Sequence, residues 1–259
     1  MAAQLTMASL EVQLLAKSFE TFFMGAAGNS GGDGPIVTSG LVWHVDAGNS
    51  SSYPGSGTTW TDISGTNKNV TLSSTSFSSS DGGSIYFDAV NSFGSTSLQV
   101  DRNAFSYSAW VKPLSNTESG QKAIMNTFES GSNEWTALSV QTSGVGIPSF
   151  ICDNDGGKVD LPSTDGQASS VWQMMTGTRS GSLVSIYINA SAKGTNNTLS
   201  TSVIEALQPL YVGSRSANGA SNPSEKFYGY IADLKIYNKQ LSASEITQNY
   251  DALKGRYGL

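Results

Sequence analysis

The acidic turn at residues 153–157, Asp-Asn-Asp-Gly-Gly, is the stretch of this sequence best suited to hold a metal ion. Asp153 and Asp155 place two carboxylates beside an amide oxygen, and Ca²⁺ prefers hard oxygen ligands of this kind. The stretch lacks the spacing and the terminal Glu of an EF-hand loop, and the same residues are typical of an ordinary hairpin turn. Both interpretations stay open, and we expect no cofactor other than this candidate Ca²⁺.

His44 is the only histidine and Cys152 the only cysteine, which limits the chemistry available to the chain. A Ser-His-Asp triad would have to use His44, yet no Gly-x-Ser-x-Gly turn joins a strand to a helix. Zinc sites need several Cys or His ligands. We therefore interpret His44 as a half-buried strand residue and Cys152 as a buried structural thiol.

Aromatic side chains beside planar polar groups are the residues that could bind sugar rings, since they offer an apolar face with a polar edge. Trp60 and Trp110 lie in strand-like runs and are expected in the core. We select Trp135, Tyr228 and Asn154 as candidate glycan-binding residues. The full set of aromatic candidates by residue type is Trp135, Tyr53, Trp60 and Tyr228.

Two elements at the end of the chain would position such residues. From Tyr230 to Ile236, alternate residues are apolar or aromatic, which predicts a half-buried strand. Ser242 and Glu245 then match a capping box, in which the Ser hydroxyl and the Glu carboxylate bind the first free N–H groups of a helix. Apolar residues at helical spacing follow, so we expect this short helix to pack on the sheet.

The composition favours an all-β protein and disfavours several classes of partner. The chain has 259 residues, 28 of them glycine, with 38% hydrophobic and 13% charged residues. Short β-rich runs between Gly, Ser and Asn turns are typical of a sandwich or barrel. The formal net charge of -6 argues against nucleic acid or an anionic membrane as the main partner. No apolar run approaches the roughly 20 residues of a membrane span.

Residues 1–24 are predicted to form a helix that anchors the protein, and the glycine-rich residues 25–37 are predicted to be a flexible linker. We do not expect a secretory signal, because the stretch has no basic start and its apolar part is interrupted by charges. The helix must bury its apolar surface, either on its own domain or, as we prefer, on a neighbouring subunit or copies of itself. The predicted anchor residues are Leu10, Val12, Leu14, Leu15, Phe19, Phe22 and Phe23.

The strand-like segments, taken in order, resemble a laminin-G-like jelly roll of the concanavalin A-like lectin/glucanase superfamily. Residues 41–47 and 53–65 resemble its first strand and the turn that follows, and the terminal strand and capped helix resemble its close. Segments similar to its central and penultimate strands are residues 84–88, 105–113, 172–178, 184–189 and 209–214. We therefore predict an all-β, two-sheet antiparallel jelly-roll sandwich over residues 38–259, with a short C-terminal helix and an N-terminal helical extension.

The resemblance also defines what a catalytic member would need. Enzymes of this superfamily that cleave glucans carry Glu-x-Asp-x-x-Glu or Glu-x-Asp-x-Glu on one strand, and retaining glycosidases need two carboxyl groups about 5 Å apart. That motif is absent from the sequence. We therefore expect a protein that is not an enzyme. Asp46 and Asp62, which lie in the first two segments, are interpreted as hydrogen-bond acceptors that hold loops in place.

Residues 46–62 and 249–259 resemble the laminin-G-like domains of structural proteins of tailed bacteriophages, notably those of marine cyanophages. The resemblance implies a non-enzymatic head decoration, fibre or tail-associated subunit, made in the host cytoplasm and located in the virion. Its partners would be other virion proteins or copies of itself, bound through residues 1–24, and surface glycans, and we expect an oligomer. The alternative is a secreted or surface carbohydrate-binding module outside a virion.

Overall fold

The protein is described by a computed structural model of residues 34–99, 103–114, 120–128, 135–142, 146–154, 157–165, 170–201, 209–215 and 224–259. The strands of the first half are β1 (Leu41–Asp46), β2 (Thr59–Trp60), β3 (Val70–Ser73), β4 (Ser76–Ser78), β5 (Ser84–Asp88), β6 (Phe93–Thr96), β7 (Ala104–Pro113) and β8 (Gly120–Phe128). Those of the second half are β9 (Trp135–Thr142), β10 (Ile147–Asn154), β11 (Gly157–Pro162), β12 (Gln173–Ser180), β13 (Leu183–Ile188), β14 (Ser191–Asn196), β15 (Leu210–Val212) and β16 (Tyr228–Tyr237). The helix α1 spans Ala243–Lys254, and short 3₁₀ turns lie at Ser80–Gly82 and Gly255–Tyr257.

The strands form two antiparallel sheets that pack face to face. Sheet A has the order β14-β13-β12-β7-β16-β5-β4, with β1 also paired to β16. Sheet B has the order β11-β10-β9-β8-β15-β6-β3-β2. The predicted all-β, two-sheet sandwich with a short C-terminal helix is therefore confirmed.

The main hydrophobic core lies between the two sheets. Phe150 of sheet B contacts Phe105 and Tyr107 of sheet A, with ring centroids 5.9 and 6.0 Å apart. Gly177 leaves room for this contact, because a Cβ atom there would lie only 2.2 Å from Phe150 Cδ2. Cys152 is fully buried in the same core, which confirms its interpretation as a structural thiol.

The helix α1 covers part of the outer face of sheet A and forms a second, smaller core there. Glu245 N donates to Ser242 Oγ, and Ser242 N donates to the Glu245 carboxylate, so the predicted capping box is confirmed. Trp110 of β7 lies under the helix, and its ring stacks on Tyr257 at 4.4 Å and on Tyr250 at 5.6 Å between centroids. Trp110 is thus buried as expected, but beneath the helix and not between the sheets.

The sequence predicted that inward- and outward-facing residues alternate along the whole of β16, and this prediction is wrong at one position. The pairing of β16 with β7 shifts register between Ile231 and Asp233, so Ala232 forms a bulge. Because a bulge inserts one extra residue, it reverses the alternation beyond it. Ile231 and Leu234 consequently both face the main core, while Asp233 and Lys235 face outward beneath α1.

Residues 1–33 lie outside the described residues, and with them the predicted anchor helix at residues 1–24 and most of the predicted linker at 25–37. Both stay predictions. Among the residues that are described, no helix has the length and apolar character needed to cross a membrane.

Candidate functional site

The structure does not bring the three predicted glycan-binding residues together. Trp135 begins β9 and faces outward from sheet B, whereas Tyr228 begins β16 in sheet A. Asn154 ends β10 and is buried, where its Nδ2 donates to the carbonyl oxygen of Ser200 at 2.9 Å. The two aromatic residues therefore belong to opposite faces of the sandwich and must be considered separately.

Trp135 is nearly covered by neighbouring side chains and is only 5% exposed. Phe128 meets its ring edge-on at 5.9 Å between centroids. Lys158 Nζ lies 4.7 Å from the ring centroid and the Arg215 guanidinium 5.2 Å from it, which are cation–π distances. A sugar ring could stack on Trp135 only after these cations had moved.

Asp153 lies beside Trp135, its cross-strand partner on β9. Burial raises the pKa of its carboxyl group, and this effect is opposed by Lys158 and by a hydrogen bond from Trp135. Asn154 pairs with Gly157, so β10 and β11 form a hairpin across this turn. Asp155 lies outside the described residues, and the calcium site at Asp153 and Asp155 stays a prediction.

Tyr228 belongs to a cluster that we call the tyrosine row, made of Tyr86, Tyr228 and Tyr230 on the outer face of sheet A. Tyr86 of β5 pairs directly with Tyr230 of β16, and their ring centroids lie 5.1 Å apart. The ring of Tyr228 meets that of Tyr86 edge-on at 6.2 Å. All three side chains are half-buried, so each is partly covered by its neighbours and partly accessible to solvent.

Polar groups border the tyrosine row on both sides. Lys112 is the cross-strand neighbour of Tyr230, and its Nζ lies 6.0 Å from the Tyr230 centroid. Lys112 Nζ also lies 3.5 Å from the Asp81 carboxylate, which accepts a 2.9 Å hydrogen bond from Trp172 Nε1. On the other side, Ser76 of the edge strand β4 pairs with Tyr86. Neighbouring strands lie about 4.8 Å apart, so this line of side chains crosses about 14 Å of sheet.

The hydroxyl group of Tyr86, at the centre of the row, stays protonated at neutral pH. Burial raises the pKa of Tyr86 to about 12, helped by the hydrogen bond to Tyr228 and by nearby negative groups. Asp88, the cross-strand partner of Tyr228, holds the adjacent turn by accepting hydrogen bonds from Ser92 Oγ and from three backbone N–H groups. Burial opposes ionisation of Asp88, but these bonds lower its pKa below the ordinary value. Uncharged hydroxyls that both donate and accept suit the hydroxyl groups of sugars.

A buried group of His44, Asp46 and Asp233 has the residue types of a metal site, with ligand atoms within 4.8 Å of one another. Two cations already occupy its neighbourhood. Lys235 pairs with one Asp233 oxygen and His44 Nε2 with the other, and Arg256 binds both Asp46 oxygens at 2.7 and 2.9 Å. Burial acts to raise the pKa of Asp233, but Lys235 and His44 lower it below the ordinary value. The group is therefore a paired polar network that joins β1, β16 and the C-terminus.

The loop after β1 confirms the predicted roles of Asp46 and Asp62. Asp46 accepts from Gly48 N at 2.8 Å in addition to Arg256. Asp62 accepts from backbone N–H groups of residues 44, 64 and 68 and from the Thr66 hydroxyl. Both carboxylates hold backbone in place, and His44, which is buried on β1, acts with them as a structural residue.

Two residues of the tyrosine row, Tyr86 and Tyr230, were missed by the sequence prediction. Tyr228 and Tyr230 are two apart on one strand, which places both on one face. The period-2 pattern of residues 84–88 likewise separates Tyr86 from the core residues on either side. The missing information was the pairing of β5 with β16, which lie far apart in the sequence.

Comparison with known proteins agrees with this architecture. A model of the concanavalin A-like lectin/glucanases superfamily matches residues 81–247. Domain 4 of AbnA, an extracellular arabinanase from Geobacillus stearothermophilus, solved in complex with arabinotriose, is 18% identical with a TM-score of 0.61, over 81% of this chain and 98% of that chain. A search of curated proteins matched none of them to this sequence.

Two larger proteins contain a similar fold. The ligand-binding domain of botulinum neurotoxin serotype D, in complex with N-acetylneuraminic acid, is 16% identical with a TM-score of 0.64, over 83% of this chain and 51% of that chain. The Trypanosoma rangeli sialidase is 16% identical with a TM-score of 0.64, over 95% of this chain and 39% of that chain. At such identities these likenesses show the fold alone. With the family match over most of its length, the chain belongs to the concanavalin A-like lectin/glucanases superfamily.

Proposed function

We propose that this protein is a non-enzymatic carbohydrate-binding protein and that the tyrosine row is its sugar-binding surface. The observation that carries the proposal is the set of three half-buried tyrosine rings on one face of sheet A, with centroids 5.1 and 6.2 Å apart. Their support from a rigid sheet means that little side-chain freedom is lost on binding. The similarity to domains solved with arabinotriose and with N-acetylneuraminic acid supports the same class of ligand.

The side chains around the row suit a sugar chain that carries little or no net charge. The rings offer apolar contact to the C–H faces of sugars, while the tyrosine hydroxyls, Lys112 and Asp81 offer hydrogen bonds at the edges. Together with Lys112 of β7 and Ser76 of β4, the row extends across four strands, so several sugar units of one chain would lie along it. No catalytic role is assigned, since the glucan-cleaving carboxylate motif is absent from the sequence.

Replacing Tyr86 with alanine is expected to weaken glycan binding by about tenfold or more, because the central ring of the row is lost. Glycan-array screening of the full chain would identify a ligand, and calorimetric titration would compare the variants. Tyr228→Ala should also weaken binding, and it tests the row independently if Tyr86→Ala folds poorly. Tyr187→Ala, which removes a half-buried tyrosine from β13, is the matched control and should leave affinity unchanged. Equal affinities for all four proteins would exclude the row as the binding surface.

We further propose that the protein is a virion component of a tailed phage, held in an oligomeric assembly by residues 1–24, which bind other virion proteins or a second copy. The support is the resemblance of residues 46–62 and 249–259 to laminin-G-like domains of phage structural proteins. In the fold, Arg256 and Asp46 join these two segments. Many copies on one particle would turn weak sugar contacts into useful avidity.

Deletion of residues 1–24 is expected to leave a folded, glycan-binding protein that no longer enters particles. Mass spectrometry of purified particles would measure the copy number of the full chain and of the truncated chain. Full incorporation of the truncated chain would contradict the anchor. Absence of the full chain from particles would favour the alternative, a carbohydrate-binding module outside a virion.

A further inference from the structure

The chain contains a single cysteine, Cys152, and its thiol is fully buried in the main core. A disulfide needs two cysteines close together, so no bond of that kind can join two strands of one chain. Phenol rings are other side chains that oxidation can join directly to each other, and the chain has ten tyrosines. Which of them can be joined depends on which rings are in contact.

Tyr86 makes both of the contacts between two tyrosine rings that occur among the described residues. It is the cross-strand partner of Tyr230, with ring centroids 5.1 Å apart and ring planes inclined by 47°. Tyr228 meets Tyr86 edge-on at the longer distance of 6.2 Å. Side chains at directly opposite positions of an antiparallel pair are held near each other by the sheet. Two phenol rings joined by a carbon–carbon bond have centroids slightly closer together than those of Tyr86 and Tyr230, so a small side-chain movement brings these two to bonding distance.

The surroundings of Tyr86 favour the loss of an electron from its ring. Burial raises the pKa of Tyr86, and the negative charge of Asp88, two residues further along β5, adds to this effect. The same negative charge stabilises the positive charge that forms on the ring when an electron leaves. The hydroxyl of Tyr86 is hydrogen-bonded with that of Tyr228, so a polar group is at hand when the proton leaves. Lys112 Nζ lies 6.0 Å from the centroid of Tyr230 and has the opposite effect there, so Tyr86 is the ring that is oxidised first.

Both rings of the cross-strand pair can also be reached from solvent. Tyr86 and Tyr230 are half-buried, so a small oxidant can touch an edge of each ring. The contact of Trp110 with Tyr257 is closer, at 4.4 Å between centroids, but both side chains are buried beneath α1. Contact and access therefore coincide at Tyr86 and Tyr230.

We infer that Tyr86 and Tyr230 are a modification site, at which a diffusible one-electron oxidant joins the two rings through their Cε atoms as dityrosine. Each ring gives one electron to the oxidant and its hydroxyl proton to solvent, which leaves two phenoxyl radicals. The radicals form one bond between a Cε atom of each ring. The hydrogen atoms on these two carbons then move to the oxygens as the rings become aromatic again. In total, two electrons and two protons leave the protein, and one carbon–carbon bond replaces two carbon–hydrogen bonds.

The bond fastens the edge of sheet A to one of its central strands. β5 lies between β16 and the short edge strand β4, and its register with β16 comprises four residue pairs. Because Tyr86 and Tyr230 lie far apart in the sequence, the bond closes a long loop and restricts the unfolded chain, as a disulfide does. The inference concerns a covalent bond and does not depend on sugar binding by the tyrosine row.

The experiment exposes the full chain to tris(bipyridine)ruthenium, light and persulfate, because the photo-oxidised complex is a small one-electron oxidant. Persulfate takes up the two electrons and becomes sulfate. Intact-protein mass spectrometry under denaturing conditions is expected to show a single chain that is lighter by two hydrogen atoms and has dityrosine fluorescence. Peptide sequencing should locate the link between Tyr86 and Tyr230. The yield should not fall when the protein is diluted, since the bond forms within one chain.

Phenylalanine variants identify the two rings. Tyr86→Phe and Tyr230→Phe keep a ring at each position but remove the phenol, so each should abolish the linked chain. Tyr187→Phe removes a half-buried tyrosine of β13 that lies outside the row, and it should give the same yield as the unaltered protein. Thermal unfolding before oxidation checks that every variant is folded. After oxidation, the linked protein should melt roughly 5–10 °C above Tyr230→Phe protein treated in the same way.

Three results would overturn the inference. One is the absence of linked chain in a reaction in which added N-acetyltyrosine couples normally. Another is a link that survives Tyr86→Phe or Tyr230→Phe, including a link from Tyr86 to Tyr228, which would show that the edge-on contact is the reactive one. The third is a set of links that join only separate chains, which would show that the two rings do not meet within one protein.

Discussion

Replacing Arg256 with methionine is expected to lower the free energy of unfolding by about 3–5 kcal/mol, because it leaves a buried carboxylate without its partner. The side chains of Arg256 and Asp46 are 6% and 8% exposed, and the guanidinium binds both carboxylate oxygens. Burial acts against the charge on Arg256, but hydrogen bonds to Asp46 keep its pKa above the ordinary value. The pair fastens the C-terminus to the loop after β1. Urea unfolding monitored by tryptophan fluorescence would measure the loss.

Lys254→Met is the matched control for this experiment. Lys254 also lies near the C-terminus, but its ion pair with Asp251 at 2.7 Å is between side chains that are 34% and 42% exposed. Exposed ion pairs contribute up to about 1 kcal/mol. Similar losses for Arg256→Met and Lys254→Met would show that the Asp46–Arg256 pair does not hold the C-terminus in place.

Replacing Trp110 with alanine is expected to lower the free energy of unfolding by about 3–5 kcal/mol, through loss of a fully buried indole ring beneath α1. Trp110 is fully buried, with its ring stacked on those of Tyr250 and Tyr257. The cavity would lie between sheet A and the helix, so α1 should loosen first. Hydrogen exchange of the amides of Ile246 and Leu253 would report this loosening, and thermal unfolding would report the overall loss.

Trp110→Phe separates packing from hydrogen bonding at the same position. Trp110 Nε1 has no hydrogen-bond partner among the described residues. Removing it therefore costs little, and the phenylalanine ring keeps most of the stacking, so we expect a loss below about 1.5 kcal/mol. If Trp110→Ala were as stable as Trp110→Phe, or left the exchange of α1 unchanged, the helix would not depend on this stack.

Short-range sequence patterns predicted the start of the C-terminal helix correctly. The capping box at Ser242 and Glu245 depends on residues three apart, and the structure contains it as expected. Asp46 and Asp62 were also predicted correctly as acceptors that hold loops in place, because an aspartate in a turn binds backbone N–H groups only a few residues away. The bulge at Ala232 was not predicted, because it arises from pairing with β7, more than 100 residues earlier. That bulge decides which side chains of β16 face the core.

The candidate site was predicted only in part, for a related reason. Residue type selected Tyr228 as a candidate, and the structure leaves it half-buried on the outer face of sheet A, but its partner Tyr86 comes from β5, which sheet order places beside β16. Trp135 and Asn154 were selected on the same grounds, and both are buried by neighbours that no local pattern reveals.

The most direct test of the central claim is a crystal structure of the full chain with an oligosaccharide selected on a glycan array. We predict density for an intact sugar chain lying across Tyr86 and Tyr230, with hydrogen bonds to Lys112 or Asp81. A sugar chain bound elsewhere with the tyrosine row empty, or a cleaved product beside a pair of carboxylates, would contradict the account.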